Sequence, residues 1–477
     1  MSDRLFIGVD SGTQSTKVYI FNQKGEVLCS ETEGLRPMLV RQLGYSEHPD
    51  DDLWDSLKAV LQKVMKKFTG DVRDIKGLGL CTIRCCRVFV KADGTLAAPV
   101  MSWMDVRSYD TFEDSEDIAY TSPTSGYITH RLTGEFSDSA ANAFQWQFPV
   151  DLNTWEWSKD QEYFDSFRIP PHKLMKLQMP GTILGYVTAK AAEATGLPAG
   201  LPVVATANDK AVEALGAGLI HKNVGLVSLG TYITTMICGD KNEPDPKNFF
   251  TNLSCIPNRY LYEGNGIRYG MKHITWFKEF LGTELAERAD AEGIPVELAL
   301  EKEALLTPAG ADGLLILPDW LAPADQLYRK GVMIGFDVRH TRGHVYRAFM
   351  EAIALTLKNG FTAMNEEVGS KAEKVIISGG GSNSDLFMQI FADVFNVTTV
   401  RNKMNGSAAM GSAICAAVAT GEYADFDTAV AHMIRVKDEF VPNRKNHELY
   451  SKINEKAYRD LPQHMEETLQ TIFDAYN

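Results

Sequence analysis

Along residues 7–21, IGVDSGTQSTKVYIF, apolar positions lead in at Ile7 and Val9, yield to a polar run over residues 10–16, and resume at Val18, Tyr19, Ile20 and Phe21. This predicts a strand, a hydroxyl-rich bend and a returning strand. NQKGEVLC (22–29) then turns at Lys24 and Gly25 into a third strand. In residues 51–68, Leu53, Trp54, Leu57, Val60, Leu61, Val64 and Phe68 recur at helical spacing. Asp50, Asp51 and Asp52 supply cap candidates for that helix. IKGLGLCTIRCCRVFVK (75–91) reads as a strand region ending at the Asp93-Gly94 turn. On such a strand Cys85 and Cys86 would face opposite sides. The first hundred residues therefore read βββαβ, an α/β layer pattern.

The same pattern returns at VGLVSLGTYITTMICGD (224–240), with an apolar run, a turn at Gly230 and Thr231, and a β-branched run. This coarse echo predicts two related domains meeting near residues 218–226, assigned as 1–220 and 221–477. AEKVIISGGGSNSDLFMQIFADVFN (372–396) reads as strand, triple glycine and helix. GSAAMGSAICAAVATG (406–421) reads as an Ala/Gly helix narrow enough for close backbone approach. Residues 446–477 read as an acidic, amphipathic surface helix.

Bulk properties narrow the class. A chain of 477 residues suits two domains, and 44% apolar with 23% charged residues is globular composition. The net charge of −14 argues against general binding of nucleic acid or an anionic membrane. The opening MSDRLFIGVD lacks the long apolar region of a signal peptide and no apolar window of ~18 residues is uninterrupted, so neither a leader nor a membrane span is expected. Seven scattered cysteines suit a reducing compartment better than a disulfide framework. A cytoplasmic protein is expected.

The bends carry the candidate chemistry. Gly12 permits a tight turn, and Thr13, Gln14, Ser15 and Lys17 supply donors for phosphate oxygens. Asp10 would be repelled by polyphosphate unless a Mg²⁺ ion lay between them, directly or through water. The alternative is an ordinary polar hairpin turn. Gly230 and Thr231, and Gly379, Gly380, Gly381 and Ser382, could bring backbone against a phosphate or a base. No GxxxxGK[ST] is present, and GNGIRYG (264–270) lacks dinucleotide spacing. Asp209, after an apolar strand and before a small-residue helix, could be a helix cap. It could also be a base for an alcohol attacking a terminal phosphate. Trp103, Asp105 and Arg107 could bind a sugar through a ring face and directional hydrogen bonds, or be a buried Trp beside an ion pair.

Taken in order, these segments resemble the FGGY carbohydrate kinases of the actin-like ATPase superfamily. The likeness rests on DSGTQSTK (10–17), SWMDVR (102–107), GYITHRLTGEFSDSAANA (126–143), ANDK (207–210), SLGTYI (228–233), GVMIGFDVRHTRGHVYRAFMEAIA (331–354) and SGGGSNSDLFMQIFADV (378–394). Phe336 and Phe349 depart from the usual signature. The resemblance implies two actin-like (ribonuclease H-like) α/β domains, each a mixed sheet flanked by helices, with a cleft between them. ATP would lie mainly against the C-terminal domain, held by Gly230, Thr231, Gly380, Gly381 and Ser384 there and by Gly12, Thr13, Gln14, Ser15 and Lys17 of the first phosphate loop in the N-terminal domain. Mg²⁺ would sit near Asp10. A sugar or polyol would lie on the N-terminal side against Arg84, Trp103, Asp105 and Arg107, with Asp209 as base.

Two departures bear on the acceptor. Cys85 stands where glycerol kinases carry a Glu beside the Arg matched by Arg84, which counts against glycerol. The connector over residues 108–125 is shorter than is usual in the family. A ketopentose such as xylulose or ribulose is the first acceptor to consider. The alternatives are a catalytically lapsed binding relative or a nucleotide-driven conformational ATPase. Oligomeric state is open, a homodimer included.

Overall fold

The computed structural model describes residues 4–323, 326–404 and 406–476. Its first sheet contains β1 (Leu5–Ser11), β2 (Ser15–Asn22), β3 (Val27–Gly34), β4 (Ile75–Thr82), β5 (Ile183–Tyr186) and β6 (Pro202–Val204), in the order β5-β6-β4-β1-β2-β3. Its second sheet contains β7 (Val224–Leu229), β8 (Ile233–Gly239), β9 (Phe249–Leu253), β10 (Tyr260–Gly264), β11 (Lys374–Ser378), β12 (Thr398–Asn402) and β13 (Val436–Phe440), in the order β9-β10-β8-β7-β11-β12-β13. In each sheet an antiparallel opening hairpin lies beside a strand parallel to its first member, β4 next to β1 and β11 next to β7. The echo read in the sequence is thus an echo of topology. All strands of the first sheet precede residue 205, and all those of the second follow residue 223.

The helical pattern at residues 51–68 forms α1 (Asp52–Lys67), with Leu53, Trp54, Leu57, Val60, Leu61 and Val64 buried. Phe68 falls outside as the C-cap. The expected aspartate capping bond is not made. Asp51, at the N-cap, instead accepts from Tyr127 and Arg131, and Asp52 from the Arg36 guanidinium. Long-range cations outcompete the local helix N–H groups for these carboxylates.

A layer of two helices lies between the sheets: α2 (Asp209–Ala217), and α5 (Ser407–Ala419), which follows α3 (Arg342–Val368) and α4 (Asp385–Phe395). Glycines make this layer thin. A Cβ on Gly8 or Gly79 would overlap the Ala409 or Ser412 carbonyl of α5. A Cβ on Gly216 would overlap the Ser407 carbonyl, and one on Gly411 that of Val212. The Ala/Gly composition of residues 406–421 therefore reflects backbone-to-backbone packing.

Two further expectations are corrected. Residues 75–91 are not one strand: β4 ends at Thr82 and pairing resumes at Arg87, bridged to Met101, and Val88–Val90. Cys85, at the break, has a positive φ of 59°, so the alternating-face argument for Cys85 and Cys86 does not apply. The C-terminal segment is also more than a surface helix. It divides into Arg444–Ile453, a π-turn at Asn454–Tyr458 and Leu461–Tyr476. Buried Tyr450 donates to Glu351 (2.6 Å), which also accepts from Arg347 (2.7 Å), and Tyr458 donates to the Ile316 and Ala352 carbonyls. No helix among the described residues is long and apolar enough to cross a membrane.

Candidate active site

The bend between β1 and β2 is closed by a hydrogen bond from Gly12 N–H to the Ser15 carbonyl, 3.0 Å. Its hydroxyls divide by burial. Ser11 and Thr16 turn inward and, with Ser56 of α1, form a chain with spacings of 3.2 and 2.9 Å. Thr13 and Ser15 are half-buried and Gln14 is exposed. Lys17 lies opposite Asp10 in the hairpin register. The Asp10 carboxylate receives no hydrogen bond among the described residues. Its pKa is pushed up to about 6, first by burial, then by Asp209 and Glu213, against the pull of Lys17 and Lys210. A carboxylate of the first bend therefore feels the acids of α2.

Asp209 is the first residue of α2. Asn208 takes the capping role that Asp209 alone might have filled, accepting from Ala211 N–H at 3.2 Å. This frees Asp209, which lies 3.4 Å from Arg84 Nε and accepts from Lys210 N–H. Burial raises its pKa, with Glu263 and Glu213 acting in the same direction and Arg84 and Lys210 opposing. One turn on, Lys210 Nζ donates to Glu213 and to Ser228 Oγ, both at 2.9 Å, and Ser378 Oγ donates to Glu213 at 2.7 Å. Ser228 and Ser378 face each other at the ends of β7 and β11. This network ties the helix bearing Asp209 to the mouth of the second sheet.

The loops at that mouth are adjacent. Gly379 has φ 87°, and a Cβ there would overlap the Leu229 carbonyl, immediately before Gly230 and Thr231. Thr231 and Gly380 are exposed, while Gly381 is buried against Leu229. Ser384 is already committed: it caps α4 through Phe387 N–H and donates to Glu301 at 2.9 Å. The GNGIRYG segment backs the second hairpin, since a Cβ at Gly270 would overlap the Thr231 carbonyl.

On the acceptor side the expected residues separate. Asp105 is fully buried and accepts from Ser46 N–H and from Arg107 Nε and Nη2, the last at 2.6 Å. Arg107 also bonds Glu47 and lies 3.9 Å over the Tyr45 ring. The pair holds its own segment in place, and Asp105 does not present the directional surface expected of it. Trp103 is 42% exposed. The segment is fastened to the break after β4 by Gln147, whose Nε2 donates to both the Cys85 and Ser108 carbonyls at 3.0 Å. The short connector is anchored by buried Phe112 and Ile118 and by a Lys173–Asp114 ion pair.

Arg84 is the centre of this side. Its carboxylate partner is not residue 85 but Glu263 of β10, in the opposite lobe, in a two-pronged pair of 2.8 and 2.9 Å. Burial works against the Arg84 charge, but Glu263 and then Asp209 hold its pKa above the ordinary range. Phe250 of β9, directly opposite Glu263 in register, lies 5.9 Å from the Arg84 guanidinium and edge-on to Trp146. The sequence reading missed Trp146, Lys210, Glu213, Ser228, Phe250, Glu263 and Ser378. A visible signal existed for Lys210 and Glu213, an i,i+3 pair beside Asp209, and for Glu263, an acid ending an apolar strand as Asp10 does.

Residues 225–420 match the FGGY family of carbohydrate kinases, C-terminal domain, and residues 5–122 and 113–216 match the N-terminal domain. The overlap of the two N-terminal pieces falls in the short connector. An uncharacterized sugar kinase, YgcE, of Escherichia coli (strain K12) is 47% identical over 475 residues, covering 99% of this chain and 96% of that protein. The xylulose kinase of Bacillus subtilis (strain 168) is 27% identical, covering 93% and 94%. The crystal structure of xylulose kinase from Rhodospirillum rubrum superposes with a TM-score of 0.83 at 25% identity, covering 98% of this chain and 100% of that one.

Proposed function

The chain belongs to the FGGY family of carbohydrate kinases, ATP-dependent sugar phosphotransferases, and from that premise we propose that Asp209 is its general base and a ketopentose such as xylulose or ribulose its acceptor. The observation carrying this reading is the convergence of Asp10, Asp209 and Arg84 from one lobe with Ser228, Ser378 and Glu263 from the other. In this reading Asp209 accepts the proton of the acceptor hydroxyl as its oxygen attacks the terminal phosphate of ATP. Arg84 orients the acceptor, and Trp103 and Trp146 offer ring faces to its C–H surface. Arg107 keeps Trp103 in place. Thr13, Gln14, Ser15 and Lys17 face the phosphates from one side, and Gly230 and Thr231 from the other. Gly380 lines the nucleoside end, with buried Gly381 behind it.

Asp10 fits Mg²⁺. Its carboxylate lacks a hydrogen-bond donor among the described residues and sits amid surplus negative charge. No group of three metal-ligating side chains exists among the described residues, which matches an ion that takes one or two carboxylates together with phosphate oxygens and water. Mg²⁺, when bound, neutralises phosphate charge.

The reading is tested by coupled ADP release over a panel of ketopentoses, aldoses and polyols. Acceptor-stimulated release supports it; ATPase turnover unaffected by every acceptor contradicts it. Thr13→Val and Thr231→Val are expected to raise KM for ATP about tenfold, as loss of a hydrogen bond to a charged group does, with little change in KM for the acceptor. The reverse pattern reassigns the bends. Asp10 must be ionised to hold a cation. Mg²⁺ affinity of the nucleotide complex is therefore flat above pH ~6 and falls about tenfold per unit below it. Asp10→Asn loses that component; identical wild-type and variant profiles would remove Asp10 from the metal site.

A further inference from the structure

The Arg84 fork is the obvious place for an acceptor to be held, and it is already occupied. Nη1 and Nη2 each donate to an oxygen of Glu263, and Nε faces Asp209 at 3.4 Å. Glu263 is fully buried, and its Oε2 also accepts from Asn252 Nδ2 at 3.0 Å. Two carboxylates therefore share one guanidinium, which leaves the immediate surroundings one negative charge in excess. Lys210 does not redress this, because it is paired to Glu213. Asn252 is also buried, and its Oδ1 is an acceptor without a partner. It lines a small cavity together with Trp146, Phe144, Asn208 and Thr251, beside the Arg84–Glu263 pair, which does not itself line it. What the site lacks is hydroxyl donors, and what it holds in surplus is negative charge.

We propose that Glu263, reaching Arg84 from the opposite lobe, is a specificity-determining residue that restricts the acceptor to neutral sugars and polyols and rejects sugar acids. The inference rests on the kinase reading for the identity of the acceptor pocket, and it specifies the acceptor's charge class. A neutral polyol donates hydroxyl hydrogens to the Asp209 carboxylate, the exposed one of the two, without breaking the Arg84 pair. An aldonate carboxylate must displace Glu263 from the fork and then sit against two like charges, a repulsive element of the kind that sets specificity. Phe250, packed against the guanidinium and Trp146, keeps water from weakening that repulsion.

The test is calorimetric titration of the full-length protein at neutral pH with matched pairs, xylitol against xylonate and ribitol against ribonate, for wild type and Glu263→Gln. The wild type is expected to prefer the polyol of at least one pair by roughly tenfold or more. Glu263→Gln, which keeps the shape and removes the charge, is expected to shift that ratio about tenfold toward the aldonate. A merely structural role for Glu263 would weaken both ligands alike and leave the ratio unchanged. Three results overturn the proposal: wild-type binding of the aldonates as tight as or tighter than the polyols, no wild-type binding of either polyol, or an unchanged ratio in folded Glu263→Gln. Should the variant fail to fold, the wild-type ratios decide. ADP release is followed in parallel. The expected ratios without acceptor-dependent ADP release would fail the kinase reading and leave the charge rule standing.

Discussion

Asp209→Asn lowers kcat by about 10²–10⁴-fold while the protein stays folded, the range expected when a positioned general base is removed. The substitution is nearly isosteric and spares the helix start, because the capping bond belongs to Asn208. Arg84 keeps Glu263 as its main partner, so the variant does not strand a buried cation. The pH profile gives a second readout. The base acts only when ionised, so wild-type activity is present above the Asp209 pKa and is lost as pH falls through it. Burial raises that pKa, placing the acid limb above the ordinary carboxylate range. In Asp209→Asn the residual activity loses this limb. The measurements are kcat by coupled ADP release against pH, with circular dichroism and Tm to verify folding. Full activity in the folded variant would exclude Asp209 as the base.

The second large effect is on stability. Gly411→Ala is expected to cost about 3 kcal/mol, at the upper end for overpacking. The added methyl meets the Val212 carbonyl of α2 and crowds the Gly216 N–H, both of them backbone that no rotamer change can move. The helices must separate, and α2 carries Asp209 at its start. Activity should therefore fall with stability, since misplacing a catalytic group by ~1 Å costs about 10²-fold. Gly34→Ala is the control: its Cβ meets nothing, and its effect should stay within about 0.5 kcal/mol. Denaturant midpoints and kcat for both variants provide the check. Equal stability of Gly411→Ala and wild type would mean that the helices are not in backbone contact.

Local pattern carried much of this architecture. Both opening hairpins, α1, the strand–glycine–helix unit around Gly379 and the thin Ala/Gly helix are signalled by short-range alternation, helical spacing or small residues. The chemistry that joins the lobes is not local. Arg84 meets Glu263 across 179 positions and Ser378 meets Glu213 across 165, and no periodicity encodes such pairings. Residues 83–87 looked like a continued strand because β-branched Ile83 leads in and Val88–Val90 follows, but the left-handed turn at Cys85 interrupts the pairing. Asp105 looked like a ligand-binding acid because its burial is tertiary: Ser46, Glu47 and Tyr45, which engage it or its partner Arg107, lie some sixty positions away. Asp51 holds the N-cap position read for it, but its side chain is drawn off to Tyr127 and Arg131, some eighty positions away.

The inward half of the first bend has a kinetic consequence. Ser11 and Thr16 are sealed into a hydroxyl chain that ends on α1, which ties the base of the bend to that helix. If the bend takes phosphate as proposed, the entropy of fixing these two side chains is lost when the chain folds rather than on nucleotide capture. Among the groups of this bend, only the outward-facing ones would then set how long a nucleotide stays.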